Sequence, residues 1–205
     1  LQAIRFDGNQ PSANAVWDGV PLSAIVYAHW SLNFSSTYNG FSVQKDYLSY
    51  SVIDGVAMVT GTNSYYGDLT IPATYQGYPV TSIGQKAFKN RSGLTSITIP
   101  DSITNIGSEA FEDCSGLSNI TLPNNIEFTT IGRSTFSSCT SLTSITIPNS
   151  VNSIVQNAFG YCTSLTSITI PDSVTSIGSG AFIVCTSLAS ITIPDSVTSI
   201  GNDAF

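Results

Sequence analysis

Few side chains in this sequence could carry out chemistry. The most regularly spaced of them are four cysteines. Cys114, Cys139, Cys162 and Cys185 follow one another at intervals of 25, 23 and 23 residues. Metal ligands must converge on one point, whereas a stride of this kind places side chains in a line. We therefore expect free thiols buried in a core, rather than a metal site or disulfide bonds.

The other candidates for catalysis are isolated. His29, the single histidine, has no evident acidic partner or nucleophile beside it. Asp101, Asp172 and Asp195 each follow a proline, where a turn residue is expected and a bound cation is the alternative. The sequence contains no nucleophile elbow, phosphate-binding loop or carboxylate pair spaced for acid–base work. We expect no enzyme, no cofactor and no metal.

The composition excludes two classes of partner. Only 9% of the 205 residues are charged, and 13 acids against 6 bases give a net charge of −7. Nucleic acid is not expected, because binding phosphate requires clustered Lys and Arg. No apolar run approaches the ~18 residues of a membrane span. Since the sequence starts at Leu1 without a Met or a signal-type segment, we expect a removed leader or a piece of a longer polypeptide.

An internal repeat must position all of these side chains. Its unit reads LTSITIPDSVTSIGSGAFIVCTS in residues 165–187, and leucines, prolines and cysteines recur with the same stride. The phenylalanines mark five intervals of 23 or 25 residues, at Phe88, Phe111, Phe136, Phe159, Phe182 and Phe205.

Each unit is interpreted as one coil of chain. Ile168 and Ile170 alternate with polar residues, as in a half-buried strand that Pro171 ends. Residues 174–177 form a second short extended piece, and residues 179–182 have room for about one helical turn. One coil buries too few side chains to offset the entropy of ordering it, so coils must stack into a solenoid with parallel strand ladders.

The charges test this register. Glu109 follows Lys86 by 23 residues, and Glu112 follows Lys89 by the same interval. The stacking therefore predicts two surface ion pairs between neighbouring coils, each contributing less than ~1 kcal/mol.

The unit L-x-x-I-x-I-P-x-x-V-x-x-I-G-x-x-A-F-x-x-C resembles the BspA-like subclass of leucine-rich repeats over about residues 68–205. The resemblance implies a right-handed, curved, β-rich solenoid with short helical turns, found on secreted or surface proteins that serve in adhesion and protein binding. It does not imply an enzyme. The first unit departs from the pattern with Arg91 at the cysteine position and five extra residues after Pro72, and the third carries Glu127 and Phe128 as two extra residues.

The N-terminal part is predicted as two further segments. Residues 47–67 read as two strands around Asp54-Gly55, which resembles the N-terminal cap hairpin of the family. Residues 1–46 resemble the closing segment of a preceding array. The last unit stops in mid-coil at Phe205.

Two unfinished ends predict a head-to-tail continuation, either into further repeats of the polypeptide or between subunits of a filament. The residues expected in this end-to-end contact are Leu1, Ile4, Phe6, Leu188, Ile191, Ile193, Ile200 and Phe205.

Three surface features are candidates for binding or modification. A polar ladder, expected on the concave face, suits weak multivalent contact with sugars or polymers, or O-glycan attachment, while plain solubility of an exposed strand is the alternative; it comprises Ser96, Thr98, Asn119, Thr121, Ser144, Thr146, Ser167, Thr169, Ser190 and Thr192. An aromatic patch could bind a sugar or partner, or simply pack in the cap; it comprises Tyr65, Tyr66, Tyr75 and Tyr78. Acceptor motifs for N-glycosylation begin at Asn33, Asn90 and Asn119.

These observations predict a non-enzymatic extracellular or cell-surface protein. Its rigid repeats would provide a scaffold for adhesion or binding, with protein or glycan ligands and with itself as a head-to-tail partner. The alternative function is a structural protomer of an extracellular fibre.

Overall fold

The computed structural model describes residues 47–62 and 66–205 in full, and the backbone of four short strands before them. The chain divides into two compact units, Leu1–Tyr47 and Leu48–Phe205. In the first unit, β1 (Ile4–Arg5), β2 (Val26–Tyr27) and β4 (Phe41–Gln44) pair in parallel, and β3 (Thr37–Tyr38) pairs antiparallel to β4. The predicted closing segment, residues 1–46, otherwise lies outside the described residues and stays a prediction, as does His29.

The second unit contains fourteen strands within the described residues. In chain order they are β5 (Leu48–Ile53), β6 (Val56–Thr62), β7 (Gly67–Thr70), β8 (Thr74–Tyr75), β9 (Tyr78–Ile83), β10 (Leu94–Thr98), β11 (Asn105–Ile106), β12 (Asn119–Thr121), β13 (Thr130–Ile131), β14 (Ser144–Thr146), β15 (Ser153–Ile154), β16 (Ser167–Thr169), β17 (Ser176–Ile177) and β18 (Ser199–Ile200).

The antiparallel hairpin β5–β6 begins this unit. Its turn places Asp54 at φ 50° and Gly55 at φ 79°, the left-handed pair that a tight two-residue hairpin requires. Strand β6 then pairs in parallel with β9 of the first coil. The hairpin predicted around Asp54-Gly55 is therefore present and hydrogen-bonded to the repeats.

About six stacked coils follow, and they form two parallel ladders. The first ladder contains β7, β10, β12, β14 and β16, and the second contains β9, β11, β13, β15, β17 and β18. Ile97 pairs with Ile120, and Ile154 pairs with Ile177, so equivalent residues lie on neighbouring coils. This confirms the predicted solenoid.

A column of phenylalanine rings runs through the core. Consecutive rings, from Phe88 to Phe205, stack with centroids 5.0–5.6 Å apart and planes within 17° of parallel. All but Phe205 are buried, together with the strand isoleucines and the leucine that begins each unit as far as the unit of Leu165. Leu188, Ile191 and Ile193 of the last unit are partly buried. The period of the sequence therefore corresponds to the layers of the core.

The turns around the phenylalanines are not helical, so the single helical turn predicted at residues 179–182 is wrong. Gly180 and Val184 have φ near +60°, and the same two positions flank the earlier phenylalanines with positive φ. With this backbone conformation, every second backbone N–H of the turn is available to the next coil. The Phe182 N–H, for example, donates to the Ala204 carbonyl at 2.7 Å. A helix would use those donors internally. The described residues contain no helix, and therefore no helix that could cross a membrane.

The third coil places its extra residues differently from the prediction. Phe128, expected to be an insertion, is buried at the position that Val151 fills in the next coil, and Ile126 is 88% exposed. The Asn125 side chain holds this loop, since it donates to the Asp101 carbonyl at 2.7 Å and accepts from the Glu127 N–H at 2.9 Å. Both ladders are interrupted here, between β12 and β14 and between β11 and β13.

Candidate binding face

Many hydroxyl side chains join one coil to the next. Ser102 Oγ donates to the Val80 carbonyl at 2.7 Å, and Ser173 and Ser196 repeat this bond on later coils at 2.6 and 2.8 Å. Thr166 Oγ1 likewise donates to the Thr143 carbonyl at 3.1 Å. These bonds give many of the hydroxyl side chains a structural role between coils; the Thr143 carbonyl also accepts the backbone N–H of Thr166 at 2.9 Å.

The predicted polar ladder lies on the outer face of the first ladder. Strands β12, β14 and β16 alternate exposed, buried and exposed residues, with the isoleucine inward and the polar pair outward. Of the ten predicted side chains, Ser96 is half-buried and the others are exposed. None of the ten hydrogen-bonds to another described residue, in contrast to the hydroxyls that join coils.

The spacing of this face is regular where the strands pair. Ser144 pairs with Ser167, and Thr146 pairs with Thr169, so equivalent side chains lie about 4.8 Å apart across the strands. Residues 190–192 continue the row without forming a strand. The arrangement presents uncharged groups that both donate and accept hydrogen bonds.

The lysines and glutamates of the first two coils lie elsewhere, beside the phenylalanine turns. Lys86 Nζ lies 3.4 Å from Glu109 Oε2, and Lys89 Nζ contacts both Glu109, at 2.9 Å, and Glu112. Both predicted pairs are confirmed, with the Lys89–Glu109 contact in addition. The hydrogen bond from Lys89 lowers the pKa of Glu109 to about 2, and the two carboxylates raise the pKa of Lys89.

The cysteines form a column of free thiols, as expected. Cys114, Cys139 and Cys162 are buried, and Cys185 is partly exposed. Each Sγ donates to the carbonyl of a phenylalanine on the preceding coil; the Cys162–Phe136 distance is 3.1 Å. Burial raises the pKa of Cys114 and Cys162 to about 12, which keeps these thiols neutral and unreactive.

The tyrosines of the predicted aromatic patch have different surroundings in the structure. The Tyr75 ring stacks on the Tyr50 ring with centroids 3.9 Å apart, so packing accounts for Tyr75. Tyr78 pairs with Tyr75 across the β8–β9 turn. Tyr66, 80% exposed, lies against Gly93, where an added Cβ would meet its ring at 2.2 Å. Tyr65 lies outside the described residues. The sequence analysis missed Tyr50, for which its place in the predicted hairpin was the only signal.

The remaining predicted sites that the structure describes are exposed. Asp101 Oδ1 accepts a hydrogen bond from the Asn124 N–H at 2.7 Å, and Asp172 and Asp195 are exposed. No group of three or more potential metal ligands occurs among the described residues. Asn90 and Asn119 are exposed, while Asn33 lies outside the described residues.

The predicted end-to-end contact is only partly visible. Ile200 and Phe205 are each 51% exposed on the last coil. Leu188, Ile191 and Ile193 are partly buried against the core. Leu1 and Phe6 lie outside the described residues, and Ile4 is placed only as backbone of β1.

Stacked coils, strand ladders and a phenylalanine column define a leucine-rich-repeat scaffold. The family described as the BspA type leucine rich repeat region matches residues 81–205 in six copies, and the chain belongs to this family. No curated protein sequence gives a significant match.

Solved structures of bacterial repeat proteins are similar to this chain. A leucine rich cell surface protein of Faecalibacterium prausnitzii is 39% identical over 79% of the chain, with a TM-score of 0.69. The leucine rich repeat protein of T. pallidum is 29% identical over 78% of the chain and 81% of its own length, with a TM-score of 0.68. A leucine-rich repeat protein of Bacteroides ovatus is 28% identical over 78% of the chain and 55% of its own length, with a TM-score of 0.55. The chain spans only 45% of the Faecalibacterium protein.

Proposed function

We propose that this protein is a non-enzymatic scaffold on the cell surface, and that the outer face of its first ladder binds ligands in adhesion. One observation carries the proposal: the ten polar side chains on this face make no hydrogen bond to the described protein, whereas hydroxyls such as Ser173 and Thr166 join coils. The description of the Faecalibacterium relative as a cell surface protein supports the location.

The physical character of the face fits a weak, repeated contact. Its strands are fixed by the core beneath them, so a ligand orders little of the protein on binding. Its rows carry hydroxyl and amide groups without a basic side chain, which disfavours anionic ligands. Equivalent groups recur at about 4.8 Å, so several weak contacts can act together on a polymeric ligand.

A charge substitution tests this proposal. Thr146→Lys places a cation at the middle of the first ladder face, and Thr130→Lys makes the same change at an exposed position of the second ladder. The whole chain is applied to an array of neutral oligosaccharides, acidic oligosaccharides and extracellular-matrix proteins. We expect binding to at least one class, a loss of about tenfold or more in Thr146→Lys, and no loss in Thr130→Lys. Equal losses in both variants, or no binding by the unaltered chain, would contradict the proposal.

A filament protomer is the second candidate function. It is favoured by the half-exposed Ile200 and Phe205, which present an apolar surface on the last coil. In this proposal a second copy of the chain covers that surface. Sedimentation velocity over a wide concentration range should then show growing assemblies that Phe205→Asp abolishes, and a constant monomer would exclude it.

A further inference from the structure

The first ladder is unpaired near its end, as it also is between β12 and β14. Among the described residues, no backbone hydrogen bond joins β16 to residues 189–193 of the following coil. The same two coils are joined elsewhere, because Ser176 pairs with Ser199 in the second ladder and Phe182 donates to the Ala204 carbonyl. The opening is therefore a local groove between two coils that remain stacked.

The groove has the size and lining of a small-ligand site. It is open to solvent on one side and has a volume of about 360 Å³, in the lower part of the range of ligand pockets, which is about 300–1,000 Å³. Its hydroxyls come from both coils, Ser167 and Thr169 on one side and Ser190 and Thr192 on the other. Ile191 and Pro194 contribute half-buried apolar surface, and Asp172 adds a carboxylate.

We infer that this groove binds a neutral oligosaccharide; the inference rests on the proposed function and narrows it to one place and one ligand class. A sugar ring carries hydroxyls that donate and accept, which matches side-chain hydroxyls, and it has C–H surface that can pack on isoleucine. The Asp172 carboxylate accepts hydrogen bonds from sugar hydroxyls with the added strength of a charged acceptor.

The charge of the groove selects against other ligands. Its described lining contains one carboxylate and no Lys, Arg or His, so uronic, sialic or sulfated sugars would have no cation to pair with. A peptide strand could hydrogen-bond to the open edge of β16. That mode gains its specificity from side-chain pockets, whereas this groove is lined mainly by small hydroxyl side chains.

Paired variants test the groove against the rest of the face. Thr169→Val removes one hydroxyl from the groove at nearly constant shape. Thr146→Val makes the same change one coil earlier, where β14 and β16 are hydrogen-bonded to each other. Cellohexaose and maltohexaose are titrated into the whole chain and followed by NMR, with a galacturonate hexamer and a flexible β-forming peptide as further probes. Asp172→Asn tests the carboxylate.

We expect one of the neutral hexaoses to bind, with signals shifting at residues 167–172 and 190–194. Thr169→Val and Asp172→Asn should weaken that binding about tenfold or more, and Thr146→Val should weaken it clearly less. Thr130→Val, which lies outside this face on the second ladder, should leave it within twofold. Equal weakening by Thr169→Val and Thr146→Val would overturn the groove while the binding face stood. Preference for the galacturonate hexamer or the peptide would overturn the ligand class. Binding of matrix proteins alone would overturn the inference but not the proposed function, and no binding in any assay would overturn both.

Discussion

Raising the pH should destabilise this protein, because three thiols buried between coils cannot ionise while it is folded. Burial raises the pKa of Cys114 and Cys162 to about 12 from an ordinary value of 9.0, and raises that of Cys139 in the same direction. In the unfolded chain these thiols ionise near pH 9. Their contribution to stability is therefore complete below pH 9 and falls as the pH rises toward the folded values.

The size of the effect follows from the pKa difference. One unit above the unfolded pKa, at pH 10, each buried thiol lowers the free energy of unfolding by about 1.4 kcal/mol, since one pH unit is worth 1.36 kcal/mol. Cys114 and Cys162 together lower it by about 3 kcal/mol, and Cys139 acts in the same direction. That is a large fraction of the stability of a typical domain, which is about 5–15 kcal/mol.

Urea unfolding at pH 7 and pH 10 measures this effect in a single variant. From pH 7 to pH 10 the free energy of unfolding should fall in both proteins, and the fall should be about 1.4 kcal/mol smaller in Cys162→Ala than in the unaltered chain. The control is Val151→Ala, which removes a buried side chain that does not ionise and should keep the full pH dependence. If Cys162→Ala shows the same loss as the unaltered chain, the buried thiol is not the cause and the reasoning fails.

Three further outcomes are expected. Val184 holds φ +59°, which is unfavourable for a β-branched residue, so Val184→Asn should raise the free energy of unfolding by about 1 kcal/mol in urea. Phe136→Ala removes a buried ring from the middle of the stacked column and should cost about 3–5 kcal/mol in the same assay. In Lys89→Met, an NMR titration should find the Glu109 pKa raised from about 2 toward 4.5; in the unaltered chain, stability from this carboxylate is lost as the pH falls from 4.5 toward 2.

Sequence reasoning predicted the repeats well and their irregularities poorly. The stride of 23 residues placed Ile97 beside Ile120 and Lys89 beside Glu112, because equivalent positions of stacked coils must coincide. It did not reveal that Ile126 turns outward while Phe128 enters the core. Both are apolar, so the pattern alone could not decide between them. The stacking does, because Ser150 Oγ donates to the Phe128 carbonyl at 2.8 Å, as Ser173 Oγ does to the Val151 carbonyl on the next coil.

The candidate site illustrates the same division. The sequence identified Ser167 and Thr169 as outward residues of a strand, since period-2 alternation assigns each residue to a face. It could not distinguish them from Ser173, whose hydroxyl bonds to the Val151 carbonyl, because that depends on which carbonyl lies within reach on the preceding coil. It also gave no sign of the groove beside β16, where β16 and the equivalent segment of the next coil, residues 189–193, do not pair.

The amino-acid sequence by itself determined the family, the coil and the residues that face the core, because these depend on periodic spacing along one chain. Only the tertiary structure decided where neighbouring coils hydrogen-bond, which hydroxyls are used in doing so and which make no hydrogen bond to the described protein. Those outcomes depend on distances of a few tenths of an ångström between coils, and they change locally wherever an extra residue or an unpaired strand alters the stacking.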